Sequence, residues 1–219
     1  VRFDLHIHSS CSDGRDNVRA VLEAAVRRGL DGIAITDHDT LRGWMVAREI
    51  IRDRGLNLIL IPGVEVSTAE GHLLVLGIEE LPAKRRPLED TLEQAHDLGG
   101  IAVVPHPYHP FRHSLGRIPA CDAVEVYNSR HLFGMANARA RWVAKKRGLP
   151  MVAGSDSHYA KTVGLGVTRI EGESAEDVLA EILAGRTIIE ARRTPPGIVV
   201  GNTFKAICQG IRKGLRRRV

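Results

Sequence analysis

Short apolar runs alternate with segments in which apolar positions recur every third or fourth residue, almost from end to end of the chain. Runs at 3–8, 31–36, 56–66, 72–78, 101–105, 123–127, 151–153 and 187–191 predict strands, because they are short, mostly apolar and rich in Val and Ile. The intervening pattern predicts helices over 17–28, 41–54, 88–98, 132–147 and 173–183. In the first of these, Val18, Val21, Leu22, Ala25 and Val26 share one face. Gly29, Gly55, Gly99 with Gly100, and Gly148 supply helix stops, and Ser174 an N-cap. Pro62-Gly63 predicts a kink inside the third strand.

Strand–helix alternation without a break predicts an α/β fold with one domain over 1–191. Imidazoles and carboxylates sit at the ends of the apolar runs: Asp4-Leu5-His6-Ile7-His8, Asp37-His38, Glu65, His106 and Asp156-Ser157-His158. Those residue types, gathered at one end of one sheet, are what a cluster of divalent cations requires. Spread over a flat sheet at ~4.8 Å per strand, at least five strands would hold their ligands about 20 Å apart. A closed barrel brings them within coordination distance, so a barrel is expected with its site at the C-terminal ends of the strands.

Composition adds little to this except at the C-terminus. The chain is 43% hydrophobic and 26% charged over 219 residues, ordinary for a globular protein with a sizeable core. Its net charge of +5 is uneven. Residues 191–219 hold eight of the 31 Lys/Arg and no acid, which leaves 23 basic against 26 acidic residues, or −3, in 1–190. The basic segment 192–219 reads as a helical tail, with Phe204, Ile207, Ile211 and Leu215 in a stripe beside Lys205, Arg212, Lys213 and Arg216–Arg218. Contact of that tail with a nucleic acid or an anionic surface is one expectation, and docking on the barrel the other. No run is apolar enough to span a membrane, and no secretory signal is evident. Three cysteines (Cys11, Cys121 and Cys208) without C-x-x-C spacing suggest a reducing, cytoplasmic setting. Oligomeric state is not readable.

His6-x-His8 lies on a strand, where residues two apart face the same side and two imidazoles can hold one ion. Asp156-x-His158 repeats that spacing with an oxygen and a nitrogen ligand, and the polar turn 9–14 can bring Asp13 toward the same place. No G-x-S-x-G, Walker-type loop or G-x-G-x-x-G competes with this reading.

Taken in order, Asp-Leu-His-Ile-His-Ser, Ile-Thr-Asp-His-Asp-Thr, Pro-Gly-Val-Glu-Val-Ser, Gly-His-Leu-Leu, His-Pro-Tyr-His-Pro and Gly-Ser-Asp-Ser-His resemble the motifs of the PHP family, which groups polymerase-associated domains with histidinol phosphatases and related phosphoesterases. The resemblance covers roughly residues 3–190 and implies a distorted (β/α)7 barrel holding three divalent ions (Zn, Mn or Fe). It implies that His6, His8, Glu65 and Asp156 hold the first ion, that Glu65 bridges to a second completed by His72 and His106, and that Asp13, His38 and His158 hold the third. His6, His8, Glu65, Asp156 and His158 are thereby the expected catalytic set. A histidine often stands where this chain has Asp13 in the histidinol phosphatase branch, so the resemblance points to the branch acting on nucleotides and oligonucleotides. That branch often carries a large insertion between the His-Pro and Asp-x-His motifs, which is short here.

The implied chemistry is hydrolysis of a phosphate ester by a hydroxide bridging the metals. The substrate would be a nucleotide, an oligonucleotide 5′ end or a small phosphomonoester. Arg130 is the expected phosphate grip, with His109 and His113 as further substrate contacts, Lys161 a weaker candidate and His96 a surface residue. Asp4 and Asp37 precede ligands and are expected to point away from the metals, either supporting or capping the site or merely polar. Two other classes stay open: a metal-dependent amidohydrolase, and a nucleic-acid-binding accessory module with structural metals. Against the first stands the absence of a Lys at any ligand-bearing strand end.

Overall fold

A computed structural model describes residues 1–110, 113–131, 134–195 and 197; the expected helical tail falls almost wholly outside them. Nine strands form one sheet: β1 (Arg2–Ile7), β2 (Gly32–Ile35), β3 (Ile59–Ser67), β4 (His72–Leu76), β5 (Ile101–Val104), β6 (Ala123–Asn128), β7 (Met151–Gly154), β8 (Gly166–Arg169) and β9 (Ile188–Ala191). Around them lie helices α1 (Val18–Arg27), α2 (Arg42–Arg54), α3 (Leu88–Asp97), α4 (Met135–Arg147) and α5 (Ala175–Leu183).

The strand order is β7-β6-β5-β4-β3-β2-β1-β8-β9. β1, β2 and β3 run parallel, as do β5, β6 and β7, while β4 runs against both of its neighbours. The sheet curls until β7 meets β1 and β8. Ile7 bridges Ser157. Thr168 Oγ1 accepts from the Ala153 amide at 2.8 Å and donates to the Ala153 carbonyl at 3.0 Å. The result is the expected α/β barrel, nearly closed, with the β8–β9 hairpin inserted at the seam.

Two features differ from the sequence expectation. β8 was not anticipated; a four-residue strand containing Gly and Arg has too little alternation to register as a period. The other is the reversal of β4. Only residues 68–71 separate it from β3, and Thr68 closes that turn by bonding the Gly71 carbonyl and the Glu70 and Gly71 amides. A connection so short permits a hairpin and no crossover helix. The kink expected at Pro62-Gly63 is where β3 changes partner: 59–62 pair with β2 and 63–67 with β4.

Helix ends follow the sequence signals. Asn17 Oδ1 caps α1 through the Ala20 amide, Gly55 and Gly148 end α2 and α4 in the left-handed conformation, and Ser174 with Asp177 forms a capping box on α5. Phe3, Leu5, Ile61, Leu76 and Val103 fill the barrel, and Val178 and Ile182 of α5 pack onto that cluster. Phe3 is the second residue of β1, Ile101 opens β5 and Leu76 ends the reversed β4, so α5 seals the end opposite the strands' C-termini. Packing continues just past residue 191, since the Thr194 amide donates to Ser129 and the side chain is buried.

Candidate metal centre

At the open end, His6, His8, Glu65, His106, Asp156 and His158 are buried, His38 and His72 are half-buried, and Asp13 is exposed. All nine expected ligands therefore come from the same rim. His72 reaches it from the first residue of β4, because an antiparallel strand begins where its neighbours end.

Glu65 stands at the middle. Its Oε2 lies 3.1 Å from His8 Nε2, 3.4 Å from His6 Nε2 and 3.4 Å from His38 Nδ1. Its Oε1 lies 3.1 Å from both His72 Nδ1 and His106 Nε2. The two oxygens thus face different sets of imidazoles, as a carboxylate shared by two ions must. Asp156 Oδ1 lies 3.7 Å from His8 Nε2 and 3.4 Å from His158 Nδ1. Asp13 Oδ2 lies 2.9 Å from His158 Nε2 and 3.9 Å from His38 Nε2. Among the described residues, ligand atoms close enough to share a cation form four groups: His6–His8–Asp156, His6–Glu65–His106, His8–Asp13–His38 and His38–Glu65–His72. His38 therefore stands between Asp13 and Glu65 rather than wholly in the Asp13–His158 corner.

The donor set suits divalent cations. His6 Nε2 and His8 Nε2 face each other at 3.2 Å. Two nitrogens at about 2.0–2.1 Å from one tetrahedral ion stand about 3.3 Å apart. His8 Nδ1, His38 Nδ1 and His106 Nδ1 are buried without a hydrogen-bond partner. Nitrogen and oxygen donors without thiolate suit Zn, Mn and Fe alike.

Electrostatics follow from this crowding. Burial pushes the His6 imidazole down, but Glu125, Asp156 and Glu65 outweigh it and leave it well above the usual histidine range. Burial would raise the Glu65 carboxyl; the surrounding histidines, His6 first, hold it well below its usual value. His8 is pushed down to about 3 by burial and by His158. Asp13 ends below the carboxylate range because His158 outweighs its burial.

Support comes from residues the sequence reading passed over. Glu125, buried on β6, lies 2.8 Å from His6 Nδ1 and accepts from the His106 amide at 2.9 Å and Asn128 Nδ2 at 2.9 Å. It fixes the His6 tautomer with Nε2 turned to the cluster. Asn128 Nδ2 also donates to Asp156 Oδ2 at 3.0 Å. A lone carboxylate inside the apolar run Val124-Glu125-Val126 was the available signal. His106 and Asp156 both adopt left-handed backbone, at φ 32° and 49°. Non-glycine residues pay roughly 1–3 kcal/mol for such strain, a cost met at sites that need a particular side-chain direction.

Of the two roles open to Asp4 and Asp37, the hydrogen bonds favour support over mere polarity. Asp37 accepts from the Ser9 amide and from the Ser9 and Ser12 hydroxyls, shaping the turn that carries Asp13. Asp4 ties β1 to the Ser155 and Gly164 amides. Strict alternation would set Asp4 and His6 side by side; an irregularity in β1 between Asp4 and Ile7 parts them.

Asp13, His38, Glu65, His72, His106, His113, Arg130, Asp156 and His158 line a pocket of about 260 Å³. Arg130 Nη1 lies 3.1 Å from Asp156 Oδ1 and 2.9 Å from the His158 ring nitrogens. His113 stacks on His72, with centroids 5.3 Å apart. The His109 ring lies instead against His131, at 4.8 Å. Lys161 sits over the Tyr159 ring and His96 bonds Asp122 on the surface.

A family profile described as PHP-associated matches residues 134–187. An uncharacterised protein of Methanocaldococcus jannaschii is 34% identical over 151 residues, 63% of this chain and 87% of that one. A 3′,5′-nucleoside bisphosphate phosphatase of Chromobacterium violaceum is 31% identical over 87% of this chain and 71% of its own length. Three further curated relatives, a phosphoribosyl 1,2-cyclic phosphate 1,2-diphosphodiesterase and two 5′-3′ exoribonucleases, are matched over only 28% to 39% of their length. Among solved structures, a two-domain protein of Bacteroides vulgatus containing a predicted PHP-like metal-dependent phosphoesterase superposes with a TM-score of 0.74 at 21% identity, over 88% of this chain and 65% of that one.

Proposed function

The chain belongs to the PHP family, and from that membership we propose that it is a phosphoesterase working with three divalent cations held by its histidines and carboxylates. The observation that carries the reading is Glu65, whose two oxygens address separate imidazole sets beside a pocket that also holds Arg130. His6, His8, Glu65 and Asp156 would hold one cation, Glu65, His72 and His106 a second, and Asp13, His38 and His158 a third. Zn, Mn and Fe all fit these donors. Cations held by these residues would supply an acidified water molecule and charge to balance that building on the phosphate oxygens.

The protein's own part is positioning. Glu125 and Asn128 hold His6 and Asp156 in place before substrate arrives, so little reorganisation is left for the reaction. Arg130, anchored on Asp156, presents its guanidinium to a phosphate entering the pocket. His113, on the rim, is the second substrate contact; His109, packed on His131, is set to act through the 106–110 loop. A cavity of about 260 Å³ takes a phosphate with its adjoining sugar, which fits a nucleotide, a small phosphomonoester or the 5′ end of an oligonucleotide. The amidohydrolase alternative finds less support, since no lysine is among the described residues that line the pocket.

Turnover of a panel of phosphomonoesters, diesters, nucleotides and oligonucleotides tests the reading, with bound metals counted in the same preparation. His8→Ala and Asp156→Ala should lose metal and at least about 100-fold in kcat/KM, with the fold retained by circular dichroism. Equal metal content and equal turnover in variants and wild type would defeat it.

A further inference from the structure

Helix α4 is built inside out. Its buried positions are Asn137, Ala140 and Ala144, while its largest apolar side chains face outward, Met135 at 77% and Trp142 at 63% exposure. Burying small residues holds α4 close to β6, but nothing in that packing calls for an outward Trp. Arg139, Arg141, Lys145, Lys146 and Arg147 share the helix with no acidic residue. Among the described residues, no carboxylate forms an ion pair with any of the five. Arg147 is spent on the Ile118 and Pro119 carbonyls. The others line the outer face, with Lys146 over the Trp142 ring at 5.3 Å and Arg139 over Tyr108 at 4.1 Å.

The position of this face matters. α4 follows β6, so its N-terminus lies at the rim that holds the metal centre, five residues after Arg130. Tyr108 belongs to the loop that leaves His106, and the Arg193 guanidinium lies beside Gly134 at the start of the helix. Cations and aromatic rings thus run from the pocket mouth along the helix. From Arg139 to Lys146 the track extends about 10 Å at 1.5 Å per residue.

We infer that the outer face of α4 binds single-stranded nucleic acid, its phosphates on Arg139, Arg141, Lys145 and Lys146 and a base stacked on Trp142. Alternating cation and ring is the chemistry single strands require, and a duplex keeps its bases out of reach of such a ring. The competing occupants fit less well. The basic C-terminal segment and a second copy of α4 would both be repelled by the four cations of this face. A bilayer requires a continuous apolar face, whereas here two apolar side chains stand two turns apart. The inference rests on the phosphoesterase reading only in placing the reacting end of the strand in the pocket; binding to α4 is read without turnover.

Trp142 makes the test local, because the only other tryptophan, Trp44, is buried beneath Arg48. The full-length chain is titrated with a phosphorothioate oligothymidylate of about twelve nucleotides, within the usual site size for such folds, and intrinsic fluorescence is followed. Quenching is expected, absent in Trp142→Phe measured by the same signal. Affinity by anisotropy should fall roughly ten-fold in Trp142→Ala. It should fall further in the triple variant R141Q/K145Q/K146Q, with a log–log salt slope in wild type of about −2 to −3. Turnover of a small phosphomonoester should be unchanged in all variants. No quenching, unchanged affinity in the triple variant, equal affinity for a duplex of the same length, or capture by anionic vesicles in place of the oligonucleotide would each overturn the inference. Small-ester turnover separates that failure from failure of the phosphoesterase reading.

Discussion

A methyl group at Gly154 would stand 2.4 Å from His6 Cβ and 2.5 Å from Glu125 Oε1, closer than atoms approach. The contact that fixes the His6 tautomer therefore depends on a residue without a side chain. Gly154→Ala should part His6 from Glu125 and lower metal content, read by elemental analysis, while circular dichroism stays that of a folded barrel. Glu125→Gln keeps the shape but weakens the acceptor for His6 Nδ1, and should cost about 10–100-fold in metal affinity by chelator competition. Cys121 supplies a check unrelated to metal. Burial pushes its thiol up to about 11, so at pH 8 only about one molecule in a thousand is thiolate. Its alkylation, followed by mass spectrometry, should be slow at pH 8 and accelerate through pH 11. At this scale the proposed ligands were legible because they stand in short motifs. Glu125, Asn128 and Gly154 were not, because each acts through a contact with a residue far away in sequence.

Elements set where those ligands meet. β1 and β7 bring His6, His8, Asp156 and His158 to the rim by parallel pairing, which the periodic pattern predicts. β4 brings His72 by running the other way, and the four residues between Ser67 and His72 already excluded a crossover. The candidate ligands gather at the C-terminal ends of strands with one exception, whose cause is a turn length. β8 escaped notice because a strand this short leaves no period. Stability and chemistry separate at this scale: the capping box of Ser174 and Asp177 starts the helix that seals the far end of the barrel. Ser174→Ala should cost about 1 kcal/mol and lower Tm by about 2–4 °C in calorimetry, with turnover unchanged. A loss of metal in that variant would mean that the two ends of the barrel are coupled.

For the whole molecule, closure of the sheet is what turns scattered histidines into a site. The barrel was readable from the demand that ligands on several strands meet; its nine-strand order, with a hairpin in the seam, follows from pairings that only three dimensions reveal. Cations held by the folded rim and not by the unfolded chain stabilise the barrel. Saturation at about a thousand times Kd adds about 4 kcal/mol, so chelation should lower Tm by about 10 °C and re-addition of metal restore it. Anomalous diffraction from crystals of the reconstituted protein addresses the arrangement itself. Peaks should appear within about 2.0–2.3 Å of His6, His8 and Asp156, of His72 and His106, and of Asp13, with Glu65 between two of them. An ordered rim without anomalous density after reconstitution, or a single peak that leaves Glu65 uninvolved, would contradict the shared-carboxylate cluster on which the proposed chemistry depends.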